Sequence, residues 1–442
     1  MIPNELIKTL LLWNFWEKEI ETGILRDQYL NQIQRYAQTD EIIVLTGIRR
    51  SGKSTILLQF LQSIIKKGVP PQNTLYINFE DPKFYDILKV GLLDEIWSAY
   101  NQHLKPEGTV YLVLDEIQKV NGWEHWVRAK YDQKQNLKIF VTGSNADLLS
   151  SEFSSVLTGR HLQLHVTPLN FTEFLKFHDI TAQPDPFWLD KNRDVLSDFT
   201  VRYLKLGGFP KIVLTKDEIL RKELLSQYFN DILTKDIVEC YNVKEVAKLK
   251  SLALFYGTNF TRGYSFHKIK KTADFSLSLD SIHRFSHFLE SSFLIAFLQK
   301  FSYSLKRQNQ AERKVYFADN GMHHAIAFKF SSDHGKLLEN TVYRHLKQRE
   351  EDVYYFSEKN EVDFICKKGT AVTDLINVSY QIEDKETLFR EIKSLKEAMK
   401  YFKLNESKLI IAQGKSQTIQ ENGFTVSIIP FYEWALRIPM EH

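Results

Sequence analysis

Cysteine is scarce in this chain: its 442 residues include only Cys240 and Cys366. These two thiols fit neither a disulfide framework nor a CxxC metal pair, so a reducing compartment is expected, with each thiol buried and structural. An unbroken apolar run is also missing near the N-terminus. Between Met1 and Ile20, Leu10, Leu11 and Trp13 are mixed with Glu5, Lys8, Glu17, Lys18 and Glu19. That mixture suits neither a signal peptide nor a spanning helix, and the expected location is the cytoplasm. A strong net charge is lacking too: 58 basic side chains nearly balance 55 acidic ones, leaving a formal +3. Any nucleic-acid surface therefore has to be a local patch rather than a whole-molecule field. No internal repeat or low-complexity tract is present.

What remains is ordinary globular composition, 43% hydrophobic and 26% charged, in a chain long enough for two or three domains. From Glu41 to His165, short apolar runs alternate with stretches of helical period. The runs are Ile42 to Leu45, Leu75 to Phe79, Val110 to Leu114, Ile139 to Val141 and Leu162 to Leu164. Apolar runs separated by helices predict a buried, mostly parallel sheet in an α/β domain.

One loop of that domain carries chemistry. Gly47-Ile48-Arg49-Arg50-Ser51-Gly52-Lys53-Ser54 matches GxxxxGK[ST], with an apolar strand before it and the amphipathic stretch Thr55 to Ile65 after it. A phosphate loop needs this strand-loop-helix setting, because backbone N–H groups and a helix N-terminus must converge on the β-phosphate. Gly47 and Gly52 permit the tight path, with Arg50, Ser51 and Thr55 beside it. Lys53 is expected to reach the β- and γ-phosphates of ATP, and the Ser54 hydroxyl to ligate Mg²⁺. The run Leu112-Val113-Leu114-Asp115-Glu116 describes a central strand whose carboxylates emerge at its C-terminal end, where open α/β sheets bind ligands. Asp115 is then the outer Mg²⁺ partner and Glu116 the group that orients the attacking water. Glu80 and Asp81, ending another core strand, stand either near the γ-phosphate or as caps of the following turn.

With Phe140-Val141-Thr142-Gly143-Ser144-Asn145 added, the set resembles an AAA+ ATPase. The resemblance implies that Asn145 is sensor 1, helping Glu116 hold water. It also implies that Arg160, in Val156-Leu157-Thr158-Gly159-Arg160, is an arginine finger acting on ATP in a neighbouring subunit, so oligomerisation is expected. The lid position that often carries a sensor 2 arginine has only Lys211.

After Pro168 the pattern turns helical (Phe171 to Phe177, Leu196 to Leu206, Glu218 to Cys240), interrupted at Gly207-Gly208-Phe209-Pro210. This reads as a helical lid over 168–240. Short helices follow, the last from Ser278 to Leu289, and then the strand-like runs Leu294 to Tyr303 and Lys314 to Phe317. That order predicts a winged helix-turn-helix over 241–319 with a two-stranded hairpin. Around it gather Arg262, His267, Lys268, Lys270, Lys271, His283, Arg284 and His287, then Lys306, Arg307, Arg313 and Lys314 on the wing. Such a surface suits DNA phosphates, or the docking of a protein. A smaller α/β domain fills 320–442.

The whole chain resembles bacterial and archaeal AAA-type ATPases with a middle winged helix and a C-terminal domain related to PD-(D/E)xK nucleases. The residues carrying that likeness are Ile77 to Pro82, Thr142 to Ser144, Tyr203 to Pro210, Val315 to Asp319 and Glu361 to Phe364. The implied fold class is α/β: an AAA+ core over 1–167, a lid, a winged helix and a restriction-endonuclease-like tail. In the tail, Glu339 and Asp363 occupy the first two nuclease positions, while Asn377-Val378-Ser379 replaces the final acid and lysine. A degenerate site that does not cut is expected. The leading reading is a DNA-dependent ATPase, a hexameric ring and helicase-like motor or remodeller acting on branched, forked or single-stranded DNA. A nucleotide-controlled regulatory or defence switch and an active nuclease are the alternatives.

Overall fold

The computed structural model describes residues 3–133, 136–147, 159–272, 277–326, 334–382 and 385–437. They form two compact units, Met1–Thr167 and Pro168–His442.

In the first unit the apolar runs become strands β1 (Ile42–Thr46), β2 (Thr74–Asn78), β3 (Val110–Asp115), β4 (Leu137–Gly143) and β5 (His161–His165). All pair in parallel, in the order β2-β3-β4-β1-β5. Around them lie α1 (Pro3–Leu11), α2 (Asp27–Tyr36), α3 (Lys53–Lys66), α4 (Val90–Leu104) and α5 (Trp123–Asp132). Successive strand residues point to opposite faces, so the unbroken runs feed two cores at once. Ile42, Val44, Leu112, Leu114 and Val141 meet Leu10, Ile96 and Val127 on one side. Ile43, Leu45, Val113 and Phe140 meet Ile33, Ile56 and Phe60 on the other. The N-terminal segment closes the edge of this sheet. Asn14 Oδ1 accepts the Tyr76 N–H at 2.7 Å, and Asn14 Nδ2 donates to the Tyr76 carbonyl at 2.9 Å. One amide side chain thus pairs both backbone groups of Tyr76, and the Trp16 indole N–H donates to the Thr74 carbonyl at 2.7 Å, on a flank of β2 that has no further strand beside it among the described residues.

The second unit opens with α6 (Phe171–Lys176), α7 (Pro186–Lys191), α8 (Arg193–Leu206), α9 (Pro210–Leu214) and α10 (Glu218–Asp231), the last continued by π turns over Ile232–Val238. The glycine pair ending α8 answers to close packing. A Cβ on Gly207 would collide with the Asp319 carboxylate, and one on Gly208 with the Leu169 carbonyl. Asp319 instead accepts the Gly208 N–H at 2.7 Å.

Next come α11 (Val246–Thr258), β6 (Gly263–Tyr264), α12 (Phe266–Thr272), α13 (Leu279–Ser291), β7 (Ile295–Leu298), α14 (Leu305–Gln310) and β8 (Arg313–Phe317). Ser278 starts α13 by accepting the Ser281 N–H, an ordinary N-cap. The expected hairpin is in fact a three-stranded antiparallel sheet, β6-β8-β7. Its third strand is only two residues long, too short for a periodic signal, and α14 is inserted between β7 and β8.

Finally α15 (Asn320–Ile326) and α16 (His334–Gln348) lead to β9 (Asp352–Ser357), β10 (Glu361–Lys368), β11 (Ala371–Ser379), α17 (Lys385–Phe402), β12 (Glu406–Ile411), β13 (Gln417–Glu421), β14 (Phe424–Pro430) and α18 (Phe431–Arg437). The six strands are ordered β13-β14-β12-β11-β10-β9. Backbone bonds join this sheet to the chain beyond β7: Phe301 donates to the Tyr355 carbonyl at 2.7 Å, and Tyr355 to that of Gln299 at 3.1 Å. Among the described residues, no helix is long and apolar enough to cross a membrane.

Candidate nucleotide site and a second charged cluster

Parallel pairing puts the C-terminal ends of β1, β3 and β4 side by side, which brings the loop 47–52 against Asp115 and Glu116. Gly47 has φ +138°, and a Cβ there would run into the Val166 carbonyl. Gly52, at φ +104°, precedes α3, whose N-terminus has no side-chain cap. The first-turn N–H groups of α3 are thus left to a ligand rather than to a capping side chain. Lys53 is 4% exposed. Its ammonium donates to the carbonyls of Gly47 at 2.9 Å and Ile48 at 3.3 Å, and lies 3.8 Å from Glu116 Oε1. Ser51 is fully buried with a hydroxyl that has no hydrogen-bond partner. An orphaned buried hydroxyl, an uncapped helix start and a sequestered ammonium together fit a bound phosphate chain.

The Ser54 hydroxyl donates to Asp115 Oδ1 at 3.1 Å, so the two expected Mg²⁺ partners already touch. Thr142 Oγ1 donates to the same oxygen at 2.6 Å, and the Tyr76 hydroxyl donates to Oδ2 at 2.6 Å. Burial, then the Glu116 charge, push the Asp115 carboxyl above its ordinary value. Burial and the Asp115 charge likewise push the Tyr76 phenol well up, keeping it a donor. Glu116 differs: against the burial that would raise it, the charges of Lys53 and Arg49 hold its carboxyl low and ionised. Its backbone sits in the left-handed region at φ +54°, which costs a non-glycine residue roughly 1–2 kcal/mol. The Thr142 hydroxyl fixes that turn by accepting the Glu116 N–H at 2.9 Å.

Around the Glu116 carboxylate, Gln118 Nε2 donates at 2.5 Å and Ser144 Oγ at 3.2 Å, both to Oε2. Arg49 lies 3.9 Å from the same oxygen while bonding Glu80 at 2.8 Å. Glu80 therefore belongs to the site. Asp81 caps the following turn through the Lys83 N–H and accepts the Trp13 indole N–H at 2.8 Å. Asn145 is buried beside this group, and its Oδ1 accepts the Asp147 N–H at 2.8 Å. Arg160 sits at the other end of the sheet, where its carbonyl accepts the Ile42 N–H and its Nε lies 3.6 Å from Asp132. Val156, Leu157 and Thr158 lie outside the described residues. Lys211 is exposed on α9.

Five residues of the site, Tyr76, Thr142, Ser144, Arg49 and Gln118, have no role in the expectations drawn from sequence. Thr142 and Ser144 end a core strand with hydroxyls, which was a usable signal; Tyr76, inside an apolar run, gave none.

In the second unit, Lys270, Lys271, Arg284, Lys306 and Arg307 are exposed, and Lys268 pairs with Glu312 at 3.1 Å. Lys306 and Arg307 belong to α14 rather than to a strand of the wing. Lys314, expected on the wing surface, is instead 4% exposed and points inward. Its ammonium lies 3.0 Å from Glu339, 2.7 Å from Glu361 and 3.1 Å from Asp363. Glu339 Oε1 also accepts the Tyr316 hydroxyl at 2.7 Å, and Asp363 Oδ2 the Val378 N–H at 2.9 Å. The acids of the nuclease-like pattern therefore do converge, around an ammonium of the chain itself. Against the burial that would lower it, these carboxylates push Lys314 well above its ordinary value. Burial drives Glu339 up to about 7, with Lys314 opposing. Asn377, at the third position, donates to Glu391 at 2.7 Å and to Ser394 at 2.8 Å. Among the described residues, no group of three or more His, Cys, Asp or Glu is arranged to hold a metal.

With this geometry in view, the class is clear. Residues 39–175 match the model of an AAA domain, so the first unit is a P-loop domain of the AAA type. Residues 198–333 match a domain of unknown function (DUF8612), and 334–434 another (DUF4143). Uncharacterized protein MJ1544 of Methanocaldococcus jannaschii is 32% identical over 410 residues, covering 90% of this chain and 88% of that protein. The chain belongs to its family. An uncharacterized protein of Haemophilus influenzae is 31% identical over 366 residues, 82% of this chain and 88% of its own. Fainter likenesses link the chain to solved structures. One is the Aeropyrum pernix ORC1 protein in complex with DNA, 13% identical with a TM-score of 0.34 over 69% of this chain and 93% of that one. Another is AMPPCP-bound DnaA from Aquifex aeolicus, 16% identical with a TM-score of 0.26 over 62% and 89%.

Proposed function

We propose that this chain is an ATP-hydrolysing AAA+ protein that binds DNA and works as a homo-oligomer, a hexameric ring acting as a motor or remodeller. The observation that carries the reading is the convergence of Lys53, the Ser54–Asp115 pair and Glu116 at one sheet edge. In it Gly47, Arg50, Ser51, Gly52 and Thr55 hold the phosphates with the start of α3, and Lys53 neutralises them. Ser54 and Asp115 hold Mg²⁺, which when bound draws electron density from the phosphoryl oxygens. Glu116, kept ionised, orients water with Ser144 and Asn145 alongside. Arg160, far from this edge of its own sheet, is suited to serve a neighbouring subunit.

The middle module supports DNA binding by its order of elements. Helix α11, strand β6, helices α12 and α13, and strands β7 and β8 with α14 inserted between them resemble the order of a winged helix. His283, Arg284 and His287 are exposed on α13. In the tail, the Lys314 ammonium at the centre of three carboxylates favours a nuclease-like domain that binds without cutting. A nucleotide-controlled switch is the second reading, favoured by the bonds that tie Lys53 to its own loop and Glu116 to Gln118 and Ser144.

The test measures ATP hydrolysis with Mg²⁺, alone and with single-stranded, duplex or forked DNA, across a salt series. Stimulation, and DNA retention whose salt slope falls by about one for Arg284→Ala, are expected. No stimulation together with salt-insensitive retention overturns the DNA reading. Low turnover with assembly that differs between ADP and ATP selects the switch. Plasmid cleavage that survives Lys53→Ala but not Asp363→Ala removes the non-cutting tail.

A further inference from the structure

The motif Tyr203 to Pro210 has no part in the nucleotide chemistry, yet it builds a cavity. Helices α8, α9 and α10, α15, the start of α16 and Tyr380 at the end of β11 line a half-open cavity of about 420 Å³. That volume is in the range of small-molecule sites. The framework around it is stiff. A Cβ on Gly321 would strike the Leu206 carbonyl, and Asp319 ties Gly208 and Gly321 together through backbone N–H bonds of 2.7 and 2.9 Å.

Its floor is apolar, formed by Leu204, Ile212, Leu225 and Leu337, each 5% exposed or less. Among the described residues its charged lining is mostly of one sign: exposed Lys205 and Lys222 and half-buried Arg221 against the acid Glu218, with His324 beside them. Glu218 is already engaged by Lys205 at 3.0 Å. Two lining side chains carry a buried nitrogen with no hydrogen-bond partner, Nε of Arg221 and Nε2 of His324. The other end of Arg221 is anchored, its Nη2 donating to the Lys216 carbonyl at 2.7 Å. A fixed guanidinium with an unsatisfied N–H beside an apolar void is poorly completed by the protein alone, since buried donors are almost always paired. A ligand with an apolar body and an anionic head completes it: the body covers the leucine floor, and the head accepts from Arg221 near Lys222 and His324.

We infer that this cavity is a binding site for a small amphipathic anion, a carboxylate on an aliphatic chain, separate from the nucleotide site. The test uses the full chain with decanoate as ligand and decanamide as its uncharged counterpart. Binding is read by displacement of the fluorescent probe anilinonaphthalene sulfonate and by calorimetry below the micellar range. Decanoate is expected to bind and to displace the probe, with decanamide weaker by about tenfold or more. Arg221→Gln should weaken decanoate by a similar factor and leave decanamide unchanged, while Leu225→Trp, which fills the cavity, should abolish both. Far-ultraviolet dichroism and ATP binding check that each variant is folded. Equal binding of the two ligands, or decanoate binding that is the same in both variants as in the parent, overturns the inference.

Discussion

Replacing Lys314 with Met keeps the length of the side chain and removes its charge, and the surroundings set the expected loss. The ammonium is 4% exposed and faces Glu339 at 14% and Asp363 at 17%, with half-exposed Glu361 the nearest of the three. Removing one partner of a buried ion pair leaves uncompensated charge and costs about 3–5 kcal/mol. For a unit of this size that is roughly 5–9 °C in the thermal midpoint. The loss depends on pH in a defined sense. Glu339, pushed by burial to about 7 while Lys314 opposes, moves higher still once that cation is gone. The folded variant then takes up a proton that the folded parent does not, so its deficit is largest at about pH 8 and shrinks toward about pH 6. Scanning calorimetry of both proteins at the two pH values measures this. The double variant Lys314→Met/Glu339→Gln should recover part of the loss at the higher pH, because it removes the orphaned charge. A variant that melts with the parent at about pH 8, or a deficit that grows as pH falls, would refute the reasoning.

Three further outcomes are expected. Lys53→Ala should abolish ATP retention, whereas Glu116→Gln should keep it and lower hydrolysis by roughly 10²–10⁴, checked by equilibrium binding beside a phosphate-release assay. Tyr76→Phe removes the 2.6 Å hydroxyl donor to Asp115 and should destabilise the first unit by about 1–3 kcal/mol, measured by urea titration. Gly321→Ala, whose methyl strikes the Leu206 carbonyl, should cost about 1–3 kcal/mol in the second unit, read as an earlier midpoint in proteolysis-coupled melting.

Strands β1 to β4 of the first unit were legible because their apolar runs are buried on both faces and leave an unbroken signal. The phosphate loop and its acid pair were legible because strand and helix periods flank them. Asn14 and Tyr76 were not, since a single amide satisfying a sheet edge, or a phenol inside an apolar run, changes no period. Lys314 was misread for a related reason. Beside Arg313, and close to Lys306 and Arg307, it looks like one of a run of surface cations. Its partners Glu339 and Asp363 lie 25 and 49 residues further on, and only the folded backbone brings them to it. The wing likewise lost a strand because Gly263 and Tyr264 are too few to show alternation.

That same lysine has a mechanical corollary. It stands on β8, in the middle of the small three-stranded sheet, yet its charge is satisfied by the six-stranded sheet's β10 and by α16. With Tyr355 of β9 sharing backbone bonds with Gln299 and Phe301 just beyond β7, and its hydroxyl donating to the Glu312 carbonyl at 2.6 Å, the two sheets are fastened at several points. The tail is thereby built onto the middle module through charge as well as backbone, a continuation of it rather than an appended arm.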